Sequence, residues 1–177
     1  MKRIIFTSII MMFAVAAFSQ QIYNIKVSDR QDGTFEQYYG TVKVTGNILN
    51  GMKEGSWVEN HPNSELPHFI IQYKEGKKDG LYLEFDKQGN IVKKVDYKND
   101  MIDGMSHVWR KGGMLSVKQE YKAGQLHGLS MIYTDKGFIQ EESVYKEGKR
   151  DGMTIWYSYA DKQQGPIYVM YTYKDGR

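Results

Sequence analysis

Tyr73-Lys74-Glu75-Gly76-Lys77-Lys78-Asp79-Gly80 decides the fold, because the chain keeps returning to it. Its opening recurs as Tyr97-Lys98-Asn99-Asp100, Tyr121-Lys122-Ala123-Gly124, Tyr145-Lys146-Glu147-Gly148 and Tyr173-Lys174-Asp175-Gly176. The tyrosines step by 24, 24, 24 and then 28 residues. A second glycine keeps the same beat at Gly80, Gly104, Gly128 and Gly152. A third does so at Gly89, Gly113 and Gly137, with Gly165 following 28 later. Three markers in one register define a tandem repeat.

Inside each repeat the pattern has a period of two. After the second glycine come Leu81, Leu83 and Phe85; then Met105, His107 and Trp109; then Leu129, Met131 and Tyr133; then Met153, Ile155 and Tyr157. Alternation of this kind marks one face of a strand. A turn follows, as in Asp86-Lys87-Gln88-Gly89-Asn90. A second strand then leads to the next tyrosine, and Tyr-Lys-x-Gly reverses the chain again. Each repeat is therefore a β-hairpin, and the array is expected to be all-β: an elongated, single-layer antiparallel meander. Two strands per repeat advance a sheet by roughly 10 Å. Long open sheets twist or coil.

Working outward, residues 48–177 hold about five repeats, the first of them degenerate around Gly55. Its extra residue is expected in His61-Pro62-Asn63-Ser64-Glu65-Leu66-Pro67, whose prolines flank a strand. The last repeat carries an insertion around Ala160 to Pro166, which predicts a protruding turn. Residues 20–47 do not match the repeat and read as a β-type N-terminal cap, with a bulge or bend at Gly40. Residues 1–19 combine Lys2 and Arg3 with an apolar run from Ile4 to Ala17 and small residues at Ala17 and Ser19. That is the pattern of a secretory signal peptide cleaved near Ser19, and it predicts an exported, periplasmic or extracellular protein.

Charge and composition narrow the function. Without Lys2 and Arg3, 22 basic residues face 21 acidic ones, a net charge of +1. A nucleic-acid binder needs a one-signed basic surface, so that class is set aside. The chain has no cysteine, which removes disulfides, thiol catalysis and cysteine-ligated zinc.

The phrase Tyr-x-x-Gly-x-x-x-Gly before an aromatic-rich strand, as in Tyr73 to Gly80, resembles the MORN repeat. The 24-residue step resembles its bacterial variant, often labelled the antitoxin component of toxin–antitoxin systems. The likeness covers about residues 48–177, and Asp100 departs from it by replacing a turn glycine. The resemblance implies a β-hairpin array that binds lipid, scaffolds or dimerises, with no catalytic residue set. An export signal fits poorly with neutralising a cytoplasmic toxin, so an antitoxin-like role ranks last.

Candidate chemistry is sparse. Tyr73, Tyr97, Tyr121, Tyr145 and Tyr173, with Gly76, Gly124 and Gly148 and the two glycine series above, are read as structural. Trp57, Tyr82 and Trp156 fall on the face opposite Leu81 and Leu83, and are the candidate contact surface. No pair among His61, His68, His107 and His127 has metal-ligand spacing. His127 occupies the slot of Asp79, Asp103 and Asp151, whose Asp-Gly pairs read as turn formers. Glu141 and Glu142 point to opposite faces and cannot act as a pair. No nucleophile motif is present. The expectation is a protein without catalytic residues, metal or cofactor. It would act as an interaction or scaffolding module through a sheet face or terminal edge, on a protein partner or itself. Glycan, cell-wall or lipid binding is the alternative.

Overall fold

The computed structural model describes Ile22, residues 25–160 and residues 163–177, without the side chains of 159, 160, 163 and 164. The expected signal peptide, its cleavage point and the tip of the inserted loop lie outside the described residues. Twelve strands follow in chain order: β1 (Gly33–Tyr39), β2 (Val42–Leu49), β3 (Met52–Asn60), β4 (Pro67–Lys74), β5 (Lys77–Phe85) and β6 (Ile91–Lys98). They continue as β7 (Met101–Trp109), β8 (Leu115–Lys122), β9 (Gln125–Tyr133), β10 (Ile139–Lys146), β11 (Lys149–Ala160) and β12 (Gln163–Tyr173). Each pairs with the next in one antiparallel meander that does not close into a barrel.

Two kinds of turn alternate. At Asn50-Gly51, Glu75-Gly76, Asn99-Asp100, Ala123-Gly124, Glu147-Gly148 and Asp175-Gly176 both central residues have positive φ, 49–53° and then 66–84°. These are type I′ turns, whose twist matches that of the flanking strands. Asp100 takes the glycine position at φ 66°, a conformation that aspartate tolerates better than most residues. At the other end of the hairpins, Asp86 N donates to Asn90 O (2.9 Å) and Gly89 N to Asp86 O (3.0 Å). The same pair of bonds recurs at Arg110/Met114/Gly113 and Thr134/Phe138/Gly137. These are three-residue loops with a left-handed glycine at the end.

The second glycine has a different job from the one expected. Asp79-Gly80, Asp103-Gly104, His127-Gly128 and Asp151-Gly152 lie inside strands, not in turns. Ile71 pairs with Tyr82 and Tyr73 with Lys78, so Gln72 alone faces Asp79, Gly80 and Leu81. The same bulge returns opposite Asp96, Glu120 and Val144. Gly104 shows why the position takes glycine: its φ is 118°, and a Cβ there would stand 3.0 Å from Asp96 Cβ. The displaced amides find partners, Leu81 N on Gln72 Oε1 (2.8 Å) and Met105 N on Asp96 Oδ2 (3.0 Å). The neighbouring aspartates brace the following turn: Asp79 accepts from Asn99 N (3.3 Å) and Asp103 from Ala123 N (3.1 Å). Successive type I′ turns are also tied directly, Gly124 N to Ile102 O (2.8 Å) and Gly148 N to Leu126 O (2.9 Å).

The core lies on the face opposite the Leu81–Leu83–Phe85 alternation. This inner face carries Trp57, Phe69, Ile71, Tyr73, Tyr82 and Val95, all buried. Ile22, Ile25, Val27 and Phe35 pack with them into one cluster. Ile22 and residues 25–32 of the N-terminal cap thus fold over the first half of the sheet, while β1 and β2 form its first two strands. Residues 25–32 form no strand, and Gly40 sits in a turn between β1 and β2, so Phe35 to Val44 is two strands and not one bent strand.

Trp57 lies across Gly46, where any Cβ would collide with the indole ring. Gly46→Ala is therefore expected to cost roughly 1–3 kcal/mol through overpacking. Gly40→Ala, where nothing lies within 4 Å, separates this steric cost from a purely backbone one. Thermal unfolding of the two variants checks it: Gly46→Ala should melt several degrees below wild type.

Candidate interaction surfaces

In the first half of the inner face, cation, ring and carboxylate hold the lead-in. Lys53 stands two residues past a type I′ turn, its ammonium 5.3 Å from the Trp57 ring and 5.2 Å from the Tyr73 ring. It donates to Ile22 O, and buried Glu59 accepts from Ile22 N at 3.2 Å. Burial pulls the Lys53 amine down to about 8. Burial also pushes the hydroxyls of Tyr73, Tyr97, Tyr121 and Tyr145 up.

Beside this region the structure stacks two histidines that their spacing did not connect. The rings of His61 and His68 lie 4.4 Å apart across the β3–β4 loop, and His61 Nε2 is 3.1 Å from Phe85 O. They border a cleft of about 430 Å³ that Glu84, Asp86 and Lys87 also line. Burial, with His61 alongside, pulls His68 down to about 4, so it is neutral at pH 7. Its 3.9 Å approach to Glu59 is then not an ion pair. Among the described residues no group of three or more His, Asp or Glu converges as a metal site.

Among the described residues, none of the lead-in packs over the second half of the inner face. The positions equivalent to Trp57 and Tyr82 shrink to Ser106, Ser130 and Thr154, all buried. At the far end Arg150 lies within a frame of rings, its guanidinium 5.7 Å from Tyr145, 5.5 Å from Trp156 and 5.8 Å from Tyr173. Glu141 accepts from Arg150 (2.5 Å), Ser143 Oγ (2.6 Å) and Trp156 Nε1 (2.7 Å). Tyr171 stands edge-on to Trp156 at 6.2 Å and is 57% exposed. Glu142 faces the other way and accepts from Tyr157 OH (2.9 Å).

The outer face changes character at the same end. Gln72, Asp96 and Glu120 give way to Val144, opposite Leu129 in the ladder. Leu129 (42%), Val144 (38%), Met153 (47%) and Met170 (52%) are all exposed, with Ile155 paired to Met170.

The three candidate contact residues therefore part company. Trp57 (0% exposed) and Tyr82 (5%) belong to the core and offer no area to a partner, because the lead-in and the coiled sheet enclose them. Trp156 is half-buried in the Arg150 frame, eight strands from Trp57. The residues that the spacing did not single out are Arg150, Glu141 and Tyr171. The signal for Arg150 was a cation two residues past the turn, as at Lys53 and Lys78, where two repeats between have Ile102 and Leu126.

Scanned against known protein families the chain matches none, and no curated protein matches it.

The buried groups dictate a pH profile. Between pH 8 and 10.5 the unfolded chain binds a proton at Lys53 that the folded chain has lost, so stability rises with pH there. Above about pH 10 the buried tyrosines keep protons that unfolded tyrosines release, and stability falls. Between pH 4 and 6.5 the unfolded chain binds a proton at His68 that the folded chain does not, so stability rises with pH across that window. Urea midpoints measured from pH 4 to 11 test this. Lys53→Met should flatten the rise above pH 8, and His68→Gln the rise below pH 6.5.

Proposed function

We propose that the chain is an exported, non-catalytic β-repeat scaffold that holds a protein partner on the uncovered C-terminal half of its sheet. One observation carries the reading: exposed apolar side chains gather on β9–β12, with Leu129, Val144, Met153 and Met170 on the outer face and Tyr171 on the inner. Exposed apolar area of this kind on a single layer marks a contact surface more often than a solvent-facing one. The likeness of Tyr73 to Gly80 and its copies to the MORN repeat points the same way, since that repeat brings binding roles and no reaction centre. Periplasmic or extracellular placement rests on the N-terminal sequence.

A glycan-binding reading has its own observation. Phe85, Trp109, Tyr133 and Tyr157 occupy one position in four successive repeats, all half-buried on the outer face. Two strands per step set them about 10 Å apart, close to the disaccharide repeat of a β-1,4-linked polysaccharide. Such a row would stack sugar rings, and His107 already stacks on Trp109 at 5.6 Å.

The immobilised chain, challenged with native envelope extract, separates the two. The scaffold reading expects a protein retained by wild type and lost from a Met153→Lys/Met170→Lys double variant whose melting is unchanged. Equal retention by both sinks it. Insoluble wall fragments that bind wild type and fail to bind Trp109→Ala would favour the glycan reading. Co-sedimentation with vesicles would move the function to lipid.

A further inference from the structure

We infer that the inner face of β10–β12 is a second site for a short apolar segment, resembling the one that holds Ile22, Ile25 and Val27. The inference rests on the partner-binding reading and names what the partner presents. Around Ile22, one residue is gripped at both its polar ends: the carbonyl by Lys53 in its aromatic frame, the amide by Glu59. Apolar side chains at Ile22, Ile25 and Val27 then fill the face beside it.

Arg150 stands at the point of its repeat that Lys53 occupies in the first. The series at that point runs Lys53, Lys78, Ile102, Leu126 and Arg150, so the cation returns at the far end after two apolar residues. Tyr173 stands to Arg150 as Tyr73 stands to Lys53, and Trp156, six residues on, supplies beside Arg150 the indole that Trp57, four residues on, supplies beside Lys53. A carboxylate is again at hand in Glu141, whose three bonds leave one acceptor position of about four.

The chemistry selects the occupant. Arg150 and Glu141 cancel in charge, so the site has no net attraction for phosphate or for an acidic polymer. A peptide group offers a carbonyl to the cation and an amide to the carboxylate. The flanking surface of Tyr171, 57% exposed, and half-buried Val169 suits isoleucine or valine side chains. The occupant is therefore a partner's segment with aliphatic residues spaced as Ile22, Ile25 and Val27. It continues along the same face the interface that the lead-in already makes.

A fluorescent peptide copying residues 20–28, Gln-Gln-Ile-Tyr-Asn-Ile-Lys-Val-Ser, titrated into the full chain and read by anisotropy, tests the site. Saturable binding is expected. Tyr171→Ala should weaken it at least tenfold, and serine at peptide positions Ile22 and Ile25 should abolish it. Met114→Ala, at an exposed loop, should leave it unchanged. No binding overturns the inference, and so does binding that Tyr171→Ala leaves intact, which would mean exchange with the chain's own lead-in at Lys53. A chito-oligosaccharide that binds here while the peptide does not overturns it as well. If envelope capture depends on Met153 and Met170 while the peptide fails, the inner site alone is lost; failure of both removes the partner-binding reading.

Discussion

Once in each repeat, a single residue faces three. Gln72, Asp96, Glu120 and Val144 each stand opposite an x-Gly-x triplet on the next strand, and the glycine takes a backbone conformation closed to most other residues. A bulge of this kind bends its strand and raises the local twist. Repeated at every second strand, it gives a single layer an inside and an outside. That curvature explains how Ser143 and Thr154 reach 0% exposure with no second layer over them among the described residues.

The division of the sheet into two halves follows from the size of the residues on that inside. Trp57, Tyr82, Ile71 and Val95 are too large and apolar to be left in water, and the lead-in closes over them. Beyond β6 the positions of Trp57 and Tyr82 hold Ser106, Ser130 and Thr154, and those of Ile71 and Val95 hold Gln119 and Ser143, which need no such cover. The tyrosine series continues through both halves, and where the residue two past a type I′ turn is a cation it lies against these rings, as Lys78 lies 4.4 Å from Tyr97. Cross-strand aromatic contacts of this sort are worth roughly 0.2–1 kcal/mol each, and their repetition holds neighbouring hairpins in register. Stability in an array of this kind is a sum of such neighbour terms. The covered half, which adds a true core, should therefore be the more stable of the two.

Two of the chain's many charges are buried on the inner face. Lys53 and Glu59 are both buried, and they serve to seat one residue of the lead-in. Arg150 and Glu141 repeat the pairing at the opposite end, where the face is open. Elsewhere carboxylates act on backbone amides, as Asp79 and Asp103 do on the turns that follow them. This is a chain whose polar groups mostly organise its own backbone, and it leaves apolar surface free where the cover stops.

The sequence alone determined the hairpin meander, because glycine register and period-two alternation are local signals: a type I′ turn needs positive φ at two adjacent residues wherever it occurs. Even Asp100 kept its turn, for the same local reason. Which face would be the core was not legible. Both faces carry apolar residues, and the choice depended on where a non-repeating lead-in folds, an interaction between residues 22–35 and residues far along the chain. That contact buried Trp57 and Tyr82 and left Trp156 half-open. The role of Asp-Gly was misread for a related reason: the pair is a turn former in isolation, but here it lies opposite a partner strand whose single residue makes it a bulge. Local chemistry settled the strands and their order; only contacts distant in sequence settled which side faces inward and what remains exposed.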